Sequence, residues 1–198
     1  GLGISNAAAT SIVGAYGGTV YLSTILGGWI ADRLLGSERT LFYSAILIMF
    51  GHIALALLPG FIGVGVGLIL VAVGSGGLKA TATSIVGDLY DEKDQRRDAG
   101  FSIFYMGINI GALVGPLLTG FLQVRYGFHW GFGLAAIGMF LGLLQYTLYR
   151  KHLGDIGKVP PNPLPAESRM RVGGIALAAL VLVVILASTG IISANSLS

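Results

Sequence analysis

Long runs of apolar residues, broken by short polar stretches, dominate this chain. Six runs are long enough for the 20 or so residues that cross a bilayer, at roughly 7–31, 40–58, 61–87, 99–123, 130–149 and 172–192. None alternates as a barrel strand does, and backbone in lipid must satisfy its own hydrogen bonds, so each run is expected to be a helix. Pro59-Gly60 marks a tight turn between the second and third runs. Tyr126-Gly127-Phe128-His129-Trp130 joins the fourth and fifth and supplies interfacial aromatics. The stretch KHLGDIGKVPPNPLPAESRMR is polar and Pro-rich, and is expected to act as a linker (151–171) rather than a tight hairpin.

Composition agrees with the pattern. The chain is 54% hydrophobic and 11% charged, against about 25% charge for a soluble domain. An all-α integral membrane protein is expected. The 32 glycines allow close helix approach where no hydrophobic drive acts between helices. With no cysteine, disulfides and thiolate metal sites are excluded. A net charge of +3 gives no reason to expect a nucleic-acid partner.

Charge distribution sets the orientation. Ten cations lie in the loops near 32–39 and 88–98 and in the linker from Arg150 on: Arg33, Arg39, Lys93, Arg96, Arg97, Arg150, Lys151, Lys158, Arg169 and Arg171. Arg125 alone lies on the other side, and all nine carboxylates share the side of the ten. The positive-inside rule makes the charged loops cytoplasmic and the protein a multi-pass inner-membrane protein. The chain opens on GLGISNAAATSIVG with neither Met nor a basic leader and stops at SANSLS, so an internal piece of a longer protein is expected.

Lys79 is the one charged side chain inside any apolar run. An ammonium near mid-bilayer costs from about 2.5 to over 10 kcal/mol, so it must face a watery cavity or a partner. It lies nine residues before Asp88, roughly 14 Å deep at about 1.5 Å per helical residue. Asn109, eleven residues past Asp98, and Tyr21, eleven before Asp32, each come out roughly 16 Å deep. Half the hydrocarbon core is about 15 Å, so three polar side chains on three helices are expected at the midplane, where transporters place substrate. Tyrosines in membrane helices also serve packing, and a lone Asn also joins helices. Snorkelling does not account for Lys79 at this depth. Tyr105 shares a face with Asn109 at i, i+4. Tyr16 lies further toward the outer side, and both are weaker pocket candidates. His52 could carry a proton or simply pack.

Two motifs carry a resemblance. GGWIADRLLGSERT is similar to the loop signature of the major facilitator superfamily, with Gly28, Asp32, Arg33, Gly36 and Arg39 in its pattern. RRDAGFSIFYMGINIGALVGPLLTG resembles the hallmark of the proton-dependent oligopeptide transporters, the POT or PTR2 family, through Phe101, Phe104, Tyr105, Asn109, Gly111, Ala112 and Pro116. GGLKATATSIVGDLYDE resembles that family's fourth helix. The likeness runs from about residue 5 to 150. It implies an incomplete amino-terminal bundle holding the family's helices two to six, followed by a helix at 172–192 of the kind bacterial members insert between their halves. The family's first helix, with its Glu-x-x-Glu-Arg cluster, and the carboxyl-terminal half would then lie outside the chain.

The resemblance further implies proton-coupled symport of di- and tripeptides, with protons as the coupling ion and no other cofactor. Lys79 then matches a Lys for the peptide carboxylate, Asn109 an Asn for the peptide backbone and Tyr21 a pocket Tyr. Asp32 and Arg33 are expected to latch against helix-end charges, with Asp88 and Asp98 as candidates. Ala80-Thr81 replaces the Pro-Asn that often follows the family's Lys. Another facilitator, such as a nitrate or drug carrier, is an alternative, since Lys79 would serve an inorganic anion equally well, and a non-transporting scaffold or receptor is a third reading. No Ser/His pair, paired intramembrane carboxylates or metal cluster suggests an enzyme.

Overall fold

Apolar runs that close their hydrogen bonds internally give long helices. The computed structural model describes residues 6–165, 167–168, 170–174 and 178, and has no strand among them. Its helices are α1 (Asn6–Ile30), α2 (Ser37–Leu57), α3 (Gly60–Asp88), α4 (Arg96–Tyr126) and α5 (Phe128–Tyr149). The run expected at 172–192 lies almost wholly outside the described residues, where only 172–174 and 178 are helical.

Among the described residues, α2, α3, α4 and α5 (the last extended to Leu153) have the length and apolarity of membrane spans. Helix α1 is 25 residues long but falls short on apolarity. Its Gly, Ser, Thr and Tyr residues dilute the apolar ones, as suits a helix facing other helices and water more than lipid.

Each turn has a local cause. The last turn of α1 widens into a π-turn at Ala31–Leu35, closed by the Gly36 N–H donating to the Ala31 carbonyl at 3.0 Å. Gly36 then takes φ +83°, a left-handed value that glycine adopts without steric cost. Before α4, the Asp94 carboxylate accepts from the Arg96 N–H at 2.9 Å and pairs with its guanidinium at 2.9 Å. Hydrogen bonds from Arg96 hold the Asp94 carboxyl below its ordinary value.

Packing follows the small residues. Helix α3 is the hub, flanked by α1 and α2, and α2 in turn packs on α5 and α5 on α4. A Cβ added to Gly76 would strike the Ser23 backbone of α1, and one on Gly77 the Ser44 hydroxyl of α2. Three helices therefore meet closely at one level. Helix α4 buries no residue.

The charged end holds a buried cluster that sequence reasoning did not single out. Glu38 is 2% exposed and pairs with Arg150 at 2.8 Å. Tyr146 donates its hydroxyl to the same carboxylate at 3.3 Å, and the Arg150 guanidinium stacks over Phe42 at 4.4 Å. The Glu38 N–H, left unpaired by its place in the first turn of α2, donates to the Gly157 carbonyl at 2.9 Å. The start of the expected free linker is thus fastened to the bundle, because a helix start needs an acceptor and Gly157 supplies one.

Two stability outcomes follow, each read as a shift in melting midpoint of the detergent-solubilised protein. Gly77→Leu forces apart α2 and α3 and should destabilise by about 1–3 kcal/mol. Glu38→Ala strands Arg150 and Tyr146; with Arg150 one-third exposed, the loss should be about 2 kcal/mol, below that of a fully buried pair.

Candidate functional site

Helix α3 runs unbroken from Gly60 to Asp88, so Lys79 keeps the depth of roughly 14 Å from its charged end. Thr81, where the family often has Asn, is 1% exposed and donates its hydroxyl to the Gly77 carbonyl at 2.8 Å. Ala80, where the family often has Pro, lies 3.9 Å from a Cβ built on Gly28. The local sequence thus continues the helix.

Small residues at 74, 76 and 77 face α1 and α2 and are buried. Lys79 is two residues beyond Gly77, about 200° around the helix, and so stands on the open side. It is exposed and carries no ion pair among the described residues. The close approach of α1 sets Tyr21 beneath it, with the Lys79 ammonium 5.1 Å from the ring centroid. That is within cation–π range. Tyr21 is itself 69% exposed. A charge at this depth is costly against lipid.

The other expected members are placed differently. Asn109 is exposed on α4, and its amide donates to the Tyr105 carbonyl one turn earlier, at 2.8 Å. It makes no hydrogen bond to Lys79 or Tyr21. Tyr105 stacks at 6.4 Å on Phe101 and leaves 51% of its surface exposed. Tyr16 is half-buried on α1. The His52 ring nitrogen lies 3.1 Å from the Ile48 carbonyl of its own helix, which suits the packing reading.

At the charged end, Gly28 faces α3, and Gly36 sits against Gly157 and Lys158. Asp32, Arg39, Asp88 and Asp98 are exposed. None of these four joins an ion pair among the described residues, where Arg96–Asp94, Arg150–Glu38 and Lys158–Asp155 are the pairs. Asp88 and Asp98 are thus not seen holding a latch with Arg33. The buried pair Glu38–Arg150 went unnoticed in the sequence. Its signal was faint: one acid in the first turn of an apolar helix and one cation just past the end of another.

The fold and the site together define a bundle of helices, four of them long and apolar enough to cross a membrane, with one ammonium held on an open face. The model of the PTR2, or POT, family matches residues 38–192. The chain belongs to that family, and its helices are part of a major facilitator bundle. It is 47% identical over 191 residues to a di-/tripeptide transporter of Lactococcus lactis subsp. lactis (strain IL1403), covering 96% of this chain and 38% of that one. It is 48% identical over 194 residues to the transporter YclF of Bacillus subtilis (strain 168), covering 98% and 39%. Among solved structures, a peptide transporter POT in complex with sulfate superposes with a TM-score of 0.88 at 51% identity, over 94% of this chain and 38% of that one. A POT family transporter in complex with 5-aminolevulinic acid gives 0.86 at 42%, over 98% and 41%. The chain spans about two-fifths of the length of the relatives it matches.

The Lys79–Tyr21 contact is testable in the full-length transporter. Tyr21→Phe keeps the ring and should leave Lys79 as slow to react with a water-soluble amine-modifying reagent as before. Tyr21→Leu removes the ring and should speed modification severalfold. Equal rates in all three proteins would mean the ring does not hold the ammonium.

Proposed function

We propose that this chain is part of a proton-coupled carrier of di- and tripeptides, and that Lys79 receives the peptide carboxylate. The observation that carries the reading is an ammonium on the open face of α3, with an aromatic ring and, among the described residues, no carboxylate paired with it. A small peptide brings a carboxylate at one end, an ammonium at the other and backbone donors and acceptors between. Lys79 supplies the cation for the first. Tyr21 supplies a ring and a hydroxyl close by. Asn109, with its amide turned onto its own helix, reaches the backbone of a peptide only after a rotamer change. In this reading Tyr105 and Tyr16 are lesser contacts of the substrate. The carboxylate for the peptide ammonium comes from the remainder of the transporter.

The kinship of the chain supports this substrate class. A relative 47% identical to it is a di-/tripeptide transporter. Two related structures hold sulfate and 5-aminolevulinic acid, an inorganic anion and an amino acid that presents a carboxylate. Each is compatible with a cationic subsite. The protein works as a carrier and not as an enzyme, spans the plasma membrane several times, and holds its charged loops on the cytoplasmic side, as the ten-to-one distribution of cations requires.

Coupling follows from electrostatics. A desolvated ammonium is stabilised by a nearby carboxylate. A carboxylate from the first helix of the family pairs with Lys79 in the empty carrier; its protonation releases Lys79 to the substrate. Gly28, Asp32, Arg33, Gly36, Arg39, Asp88 and Asp98 line the cytoplasmic end that opens and closes. In the full-length protein in liposomes, Lys79→Ala should lower pH-gradient-driven dipeptide accumulation by at least about tenfold, the effect of losing one charge-assisted contact. Accumulation that survives the change would sink the assignment. Competition of the wild-type flux by nitrate but not by dipeptides would favour an anion carrier instead.

A further inference from the structure

The segment that leaves α5 meets the start of α2 at two places, and both are on Glu38. The Arg150 guanidinium lies 2.8 Å from one oxygen of the Glu38 carboxylate and 3.0 Å from the other. Further on, the Gly157 carbonyl accepts from the Glu38 N–H at 2.9 Å. The side chain and the backbone of one residue thus hold both ends of the segment.

Two glycines make the fit possible. Gly36, in the loop between α1 and α2, and Gly157 both take left-handed φ, +83° and +66°, which glycine adopts freely. A Cβ built on Gly157 would lie 3.0 Å from the Glu38 nitrogen, and one built on Gly36 would strike the Gly157 carbonyl. Between its two grips the segment keeps its own shape. The Gly154, Ile156 and Lys158 N–H groups donate to the Lys151, Leu153 and Asp155 carbonyls at 3.4, 3.1 and 3.2 Å.

Both grips are polar. Hydrogen bonds and ion pairs exchange with water at small net cost, and Lys151, His152, Gly154 and Asp155 are already exposed. Local opening at such a place takes far less free energy than unfolding a packed helix. The grips are also coupled. If Arg150 lets go, a carboxylate only 2% exposed is left without its cation, and a buried unpaired charge is costly. Water relieves that cost once the segment lifts from the Glu38 backbone as well. Beyond Lys158, Pro160, Pro161, Pro163 and Pro165 make a stiff continuation. A pull on that continuation is delivered to Gly157 instead of being taken up as slack.

We propose that Arg150–Lys158 is a clasp that opens and closes as one unit on the α1–α2 loop, so that the segment leaving α5 decides whether that loop is held or free. The clasp is separate from Lys79 and does not rest on the substrate assigned there.

The test is hydrogen–deuterium exchange, read by mass spectrometry, on the full-length transporter in nanodiscs. The reporters are the Gly36, Glu38 and Thr40 amides around the loop and the Gly154, Ile156 and Lys158 amides of the clasp. Both sets should show one common protection, lower than that of the α2 interior. Arg150→Gln should speed exchange in both sets by at least about tenfold, the effect of losing a hydrogen bond to a charged group. Arg150→Lys should recover part of the protection, and α3 should be unchanged throughout. If Arg150→Gln does not fold, Gly157→Val strikes the Glu38 backbone at the other grip and should speed the same two sets. Faster exchange in only one set would overturn the single unit. Exchange unchanged by either variant, or a rise spread equally over α3, would overturn the clasp itself.

Discussion

The close approach of three helices at Gly76 and Gly77 is the constraint on which the rest of the bundle depends. Between membrane helices no hydrophobic drive operates, so packing density must supply the attraction. Side chains at these positions would hold α1 and α2 away from α3. With hydrogens there, α1 comes near enough for Tyr21 to sit under Lys79 at 5.1 Å. An apolar cavity lies between the same three helices, lined by Leu26, Tyr43, Leu47 and Val73.

The charged end is governed by different physics. There, Glu38 is almost wholly removed from water and is tolerated because Arg150, Tyr146 and its own backbone N–H all find partners. This cluster joins α2, α5 and the segment after α5. The part of the bundle near it is therefore expected to move as one body, while Lys79 and Tyr21, exposed on an open face, keep freedom to exchange partners. The proposed carrier would need both: a rigid frame and a site whose contacts change with its load.

The kinship to peptide transporters came from motifs legible in the chain, and the family match over residues 38–192 agrees with them. The five helix ranges were legible too, since uninterrupted apolar runs leave the backbone no alternative in lipid. The first of them, α1, is less apolar than the other four because of its glycines and hydroxyl residues. The 172–192 run lies almost entirely outside the described residues.

By itself the sequence determined where the five described helices run, how far along each a polar residue stands from the charged end and which end is charged. These quantities depend on counting along one chain at a fixed rise per residue. Which polar residues meet is another matter. Tyr21 and Asn109 have the same calculated depth, yet the tertiary structure brings only Tyr21 to Lys79 and turns the Asn109 amide onto its own helix. Depth fixes one coordinate; the rotation and neighbours of each helix fix the others, and those follow from contacts such as Gly76 on Ser23 that join residues far apart in sequence. The buried Glu38–Arg150 pair, 112 residues apart in the chain, was decided in the same way.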